Sequence, residues 1–110
     1  MAADPHIHVD AQLGGQVASR RILASAFGLA ADLPPTVRTG CGQEVPRAMT
    51  SVRPESVTCL ACRRFACHAH TQLAIQVESF GAMPGSPLSA AQATEAAAHH
   101  RALAHRFAAE

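Results

Sequence analysis

The 110-residue sequence contains no tryptophan, no tyrosine and no lysine, and it has only four phenylalanines. Its hydrophobic fraction of 48% consists largely of alanine, since only 25 residues are Val, Ile, Leu, Met or Phe. Alanine buries little surface, whereas each fully buried larger side chain contributes about 1.5–3 kcal/mol. Core burial alone therefore leaves such a short chain marginally stable, and we expect it to need a metal, a crosslink or a partner.

A strong charge of one sign is also missing, since nine basic and eight acidic residues give a formal charge of +1. This balance excludes a polybasic arm and an acidic tail. No apolar run approaches the roughly 20 residues that cross a bilayer, and the first ten residues lack the features of a secretion signal. We therefore expect a cytoplasmic protein without membrane contact, in which paired cysteines serve as metal ligands.

The residue pattern predicts a small α+β fold. Alternation over His6–Asp10 predicts a strand, and Thr36–Val45 predicts a strand, a glycine-flanked turn at Cys41 and a short returning strand. Between them, residues 16–31 have the apolar spacing of an inserted helix.

Two further helices are predicted in the second half of the chain. One opens at Cys62, with Phe65, Leu73 and Phe80 near its apolar face. The other is rich in alanine and begins near a capping box at Ser89. We expect it to be exposed or to depend on a partner, with the alternative that Leu88, Leu103 and Phe107 cover the core of the chain itself. We accordingly predict a zinc-binding α+β domain over residues 1–81, and a linker with a C-terminal helix over residues 82–110.

Cys41, Cys59 and Cys62 form the strongest chemical signal. The last two are three residues apart, a spacing at which two thiolates can bind one tetrahedral ion at about 2.3 Å each. A helix that opens at Cys62 also directs its N-terminal amides and dipole at the thiolates. These residues predict a structural Zn²⁺ site.

The spacing of the residues does not identify the fourth metal ligand. An N-terminal histidine, His6 or His8, can reach the site if its strand pairs beside the strand that leads to Cys41. Cys67 lies about 140° around the helix from Cys62, an awkward angle for the same ion. The remaining alternatives are His68, His70, a water molecule or no fourth ligand.

Two segments of the chain resemble short zinc-finger-like proteins that are common in actinobacteria. Their pattern is a histidine between aliphatic residues, a T-x-C-G turn and a V-T-C-x-x-C-R helix start. Residues 7–9 and 37–64 carry this pattern, although a predicted helix separates the histidine from the first cysteine. The resemblance selects His8 and implies metal binding by His8, Cys41, Cys59 and Cys62. For the fold it implies a zinc-stabilised module. The glycine-flanked turn at Cys41 and the predicted elements lead us to expect a small zinc-knuckle domain, zinc-ribbon-like or treble-clef-like, with an inserted helix and two further helices.

The four cysteines also resemble those of the WhiB-like iron–sulfur regulators. In that reading Cys41, Cys59, Cys62 and Cys67 would hold a [4Fe–4S] cluster. The spacing between Cys62 and Cys67 is one residue shorter than in that family. The Gly-Trp turn of the family is absent because the chain has no tryptophan.

Several other features are interpreted as surface. Cys67 and His70 are spaced for a second metal site, but we expect a half-buried thiol and a solvated imidazole. His99, His100 and His105 are expected at the surface. Scattered arginines allow nucleic-acid contacts without favouring them, because no aromatic stacking platform accompanies them.

We therefore predict a non-catalytic interaction or regulatory module with a protein partner and the capacity to self-associate. An iron–sulfur redox regulator and a nucleic-acid-binding zinc finger are the alternatives. An enzyme is not expected, because no catalytic motif is present and a catalytic zinc would need an open coordination position and a carboxylate base such as Glu44 or Glu55.

Overall fold

The computed structural model describes residues 5–13 and 35–109. These residues have the predicted α+β architecture, with a two-stranded antiparallel sheet and two helices. The elements are β1 (Thr36–Arg38), β2 (Glu44–Pro46), short 3₁₀ turns at Arg47–Met49 and Pro54–Ser56, α1 (Leu60–Ala82) and α2 (Ala90–Ala108). The predicted helix at residues 16–31 lies outside the described residues.

The chain divides into two compact units, Met1–Cys62 and Arg63–Glu110, named here the N-terminal unit and the helical unit. The predicted domains, residues 1–81 and 82–110, stay a prediction. Among the described residues, no helix combines the length and the apolarity needed to cross a membrane.

In the N-terminal unit, β1 and β2 form the predicted hairpin. Val37 pairs with Val45 at the centre of the ladder, and the connecting turn carries Cys41. The turn closes through a hydrogen bond from the Gly42 amide to the Thr39 carbonyl (2.9 Å). Gly42 has φ of 90°, a conformation that glycine adopts without strain, so the glycine after Cys41 allows the chain to reverse here.

The predicted strand at His6–Asp10 is wrong as a regular strand, because the described structure pairs this segment only through isolated bridges. His8 forms a parallel bridge with Thr50, and Asp10 forms an antiparallel bridge with Thr39. The segment thus bonds to different stretches of chain at successive residues, which prevents a continuous ladder with any of them. Val9, between the two bridges, is buried in the core of this unit.

In the helical unit, α1 and α2 run antiparallel, since residues near the start of α1 contact the end of α2 and later residues of α1 contact earlier residues of α2. Arg63 donates to the carbonyls of Arg106 and Ala109 at the end of α2, whereas Glu78 binds Arg101. The predicted capping box is present, with Ser89 and Gln92 exchanging hydrogen bonds at the start of α2.

The expected apolar face of α1 is wrong. After Cys62, the buried residues of this helix are Ala66, His70 and Ala74 rather than the larger apolar residues, and Phe80 is 46% exposed. Of the alternatives for α2, burial within the chain itself is the one observed, with Phe107 at 2% exposure. Small side chains allow close packing, so alanine occupies the buried face and the bulkier residues flank it.

Candidate metal centre

The Cys41 side of the site is built by the hairpin turn. The Thr39 amide donates to the Gln43 carbonyl (2.7 Å), and the Gln43 amide donates to Thr39 Oγ1 (3.0 Å). The same hydroxyl lies 3.0 Å from Cys41 Sγ. Thr39 is itself buried, so one side chain both closes the turn and contacts the thiol.

His8 is held by backbone pairing on both of its peptide groups. Its amide donates to the Met49 carbonyl (2.8 Å), and its carbonyl accepts from the Ser51 amide (3.0 Å). One residue later, the Val9 carbonyl accepts from the Gly40 amide (2.9 Å) in the turn that carries Cys41. This pairing brings the His8 imidazole to Cys41, and the side chain is only 1% exposed.

Cys59 and Cys62 enter the site at the start of α1. The Ile7 carbonyl accepts from the amides of both Thr58 and Cys59 (3.1 Å each), and the Ile7 amide donates to Thr58 Oγ1 (2.8 Å). The helix begins at Leu60, two residues earlier than predicted, so Cys62 lies in its first turn. The free amides of that turn and the helix dipole favour negative charge on nearby thiolates.

The four predicted ligands converge. One nitrogen of His8 and the Sγ atoms of Cys41, Cys59 and Cys62 all lie within 4.8 Å of one another, a group that could hold a metal ion. His8 Nδ1 is 3.5 Å from Cys41 Sγ and 3.5 Å from Cys62 Sγ. A tetrahedral zinc ion with ordinary Zn–S and Zn–N bonds separates sulfur from nitrogen by about 3.6 Å. All four cysteines of the chain are free thiols, so no disulfide competes for the ligands.

The thiols of Cys41 and Cys62 differ in acidity. Burial acts to raise the pKa of Cys41, but hydrogen bonds, led by that of Thr39, lower it to about 7. Burial raises the pKa of the Cys62 thiol to about 11. A buried thiolate at Cys62 therefore requires a cation beside it, and metal binding at neutral pH must displace the Cys62 proton.

The alternative ligands are not part of this group. His6 is exposed, and its Nδ1 lies 3.3 Å from Thr58 Oγ1. Cys67, His68 and His70 belong to the helical unit. Sequence reasoning missed the contacts that Thr39 and Thr58 make around the site, although the threonine two residues before Cys41 and the one before Cys59 were visible signals.

Comparisons of the chain with protein-family models, with curated proteins and with solved structures find no match. The geometry of the site and its donor atoms are accordingly the basis for a functional assignment.

Proposed function

We propose that the protein binds one structural Zn²⁺ ion through His8, Cys41, Cys59 and Cys62. The observation that carries the proposal is the convergence of one imidazole nitrogen and three thiol sulfurs within 4.8 Å. Thiolate and imidazole ligands suit zinc, and four protein ligands complete a tetrahedral shell. A filled shell leaves no position for water or substrate, which favours a structural role over catalysis.

The same geometry supports a zinc-knuckle fold of the treble-clef-like kind. A hairpin turn supplies Cys41, and the first turn of a helix supplies Cys62. This arrangement agrees with the resemblance to the actinobacterial zinc-finger-like proteins. The group contains His8 in place of Cys67, which favours zinc over the [4Fe–4S] cluster of a WhiB-like regulator.

We further propose that the protein acts in the cytoplasm as a non-catalytic interaction or regulatory module. Its free thiols suit a reducing compartment. The helical unit exposes three large apolar side chains, Ile75, Phe80 and Met83, which could contact a protein partner or a second copy.

The metal proposal is tested by elemental analysis of protein purified without oxygen. We expect one zinc per chain, no colour, and the loss of metal in Cys41→Ser and His8→Ala. Cys67→Ser is the matched control and should keep the zinc. A brown protein that loses iron in Cys67→Ser would instead establish the iron–sulfur alternative.

The interaction proposal is tested separately by light scattering on the zinc-loaded protein. If the exposed apolar residues mediate self-association, Phe80→Gln should lower the average mass while the zinc content stays unchanged. A salt-dependent shift on titration with duplex DNA would favour the nucleic-acid alternative.

A further inference from the structure

A second buried histidine lies in the helical unit, eight residues after Cys62 on the same helix. His70 of α1 is 8% exposed, and its Nδ1 is 3.0 Å from Nδ1 of His100 on α2. The ring centroids are 5.2 Å apart. This is close to the largest centroid separation that two imidazole rings can have when their Nδ1 atoms are 3.0 Å apart. The ring planes are inclined by only 28°. The two nitrogens therefore face each other almost along one line.

This arrangement fits a shared hydrogen rather than a shared metal ion. Two ligands of one ion direct their lone pairs at a third point, whereas these lone pairs point at each other. Two Nδ1 atoms can approach to 3.0 Å when one carries a hydrogen and the other accepts it. In the neutral pair one ring is thus the Nδ1–H tautomer and the other the Nε2–H tautomer.

The surroundings of the pair oppose positive charge. The His70 ring lies almost parallel to the buried Phe107 ring at 5.8 Å, and His99 packs edge-on to His100 at 5.8 Å. Burial, followed by the charges of His100 and His99, lowers the pKa of His70 below 6.5. Burial and the charge of His99 lower that of His100 in the same direction.

The other ionisable groups of the two helices do not supply a counter-charge. The Arg63 guanidinium lies 5.7 Å from the centroid of Phe107, the ring that stacks on His70. Cys67 lies one helical turn before His70. Of the two carboxylates on these helices, Glu78 is bound to Arg101 and Glu95 is exposed. No carboxylate in the described helices is hydrogen-bonded to either imidazole.

We propose that the His70–His100 hydrogen bond is an acid-sensitive contact that holds α2 against α1 at neutral pH and releases it as the pH falls. The first added proton keeps the Nδ1–H···Nδ1 hydrogen bond but puts a positive charge on a buried pair beside His99. The second places two N–H groups face to face, so that neither nitrogen can accept and the rings must separate.

The direction of the pH effect follows from the lowered pKa values. The folded state binds fewer protons than the unfolded state, so the contact contributes its full stability above about pH 6.5 and loses it as the pH falls below that value. The helical unit would then open in mildly acidic conditions, which is how buried histidines serve as pH sensors.

The proposal is tested by NMR on the full, zinc-loaded chain. At about pH 7.5 we expect one ring of the pair as the Nδ1–H tautomer, and both rings should titrate below the range of a free histidine. Amide exchange of α2, corrected for the intrinsic rate, should show opening that increases about tenfold from pH 7.5 to 5.5.

The matched variants separate the pair from other histidines. In His70→Gln/His100→Gln this pH dependence should disappear, whereas His105→Gln, at an exposed position of α2, should keep it. The proposal is overturned if both rings are Nε2–H tautomers, if α2 opening does not change with pH while zinc stays bound, or if His100→Gln removes a second equivalent of metal. If the double variant does not fold, the titration of the natural protein decides.

Discussion

Each unit of the protein buries a histidine, but the two imidazoles have different partners. His8 in the N-terminal unit faces two sulfur atoms at 3.5 Å, whereas His70 in the helical unit faces another imidazole nitrogen at 3.0 Å. Thiols that lose their protons create a site for a soft cation, whereas two imidazole nitrogens that point directly at each other share a hydrogen. The comparison shows that the partner atoms, and not burial itself, determine what a buried histidine can bind.

The two units also differ in what holds them together. The described part of the N-terminal unit has three-residue strands, isolated bridges and a few buried valines. The helical unit has long helices that bury alanine side chains and Phe107. We therefore expect the first to depend on its metal and the second on helix packing.

The largest effect is expected from removing the metal. Cys62→Ser, or a strong chelator, should unfold the N-terminal unit, because structural zinc contributes an apparent free energy of about 10–16 kcal/mol in small modules. The amide resonances of residues 36–58 should collapse towards random-coil shifts. Cys67→Ser is the matched control and should leave them unchanged.

Metal removal also tests whether the two units are stabilised by different interactions. If the units depend on different interactions, most of the helical circular dichroism at 222 nm should survive chelation. A helical signal lost together with the zinc would show that the two units unfold as one.

Phe107→Ala should produce the next largest effect. Removing this buried ring, which stacks on His70, should destabilise the helical unit by about 3–5 kcal/mol. Urea denaturation followed by circular dichroism measures the loss. Zinc content should remain at one equivalent. A fall in zinc content would contradict the expectation that the metal stabilises the N-terminal unit and helix packing stabilises the helical unit.

Ser89→Ala should have a smaller effect at one end of α2. The Ser89 hydroxyl accepts from the Gln92 amide (3.1 Å), and the Gln92 side chain accepts from the Ser89 amide (2.9 Å). Losing this cap should cost about 1 kcal/mol. Thermal unfolding provides the measurement, with Ser79→Ala at an exposed position of α1 as the control, which should leave the Tm almost unchanged.

Glu78→Gln should have the smallest effect of the series. Both oxygens of Glu78 bind Arg101, but the pair is exposed and salt screens it. The Tm should change by less than in Ser89→Ala, and the difference from the natural protein should disappear in molar salt. A large, salt-independent loss would show that this ion pair, rather than apolar packing, holds the helical unit together.

Local signals explain which parts of the fold were predictable. The glycines around Cys41 indicated the hairpin turn, and Ser89 with Gln92 indicated the start of α2, because turns and caps depend on a few neighbouring residues. The buried face of α1 was not predictable in the same way. Large apolar residues indicated Phe65 and Phe80, whereas the folded chain buries Ala66, His70 and Ala74, because burial depends on which segments pack together.

Local signals likewise predicted only part of the candidate site. The spacing of Cys59 and Cys62 indicated metal ligands without any knowledge of the fold, since two cysteines three residues apart can reach one ion. His8 was one of several candidates until the structure paired it with Met49 and Ser51. The solvated histidine expected at position 70 and the surface histidine expected at position 100 proved to be paired with each other.

Composition and short spacings therefore specify the hairpin, the two described helices, the thiol pair and the scarcity of large core residues. Which histidine meets the thiols, and which meets another histidine, depends on the packing of distant segments. Those contacts join residues 33 to 54 positions apart around His8 and 30 positions apart between His70 and His100. Their geometry depends on how separate segments pack, which no local pattern specifies.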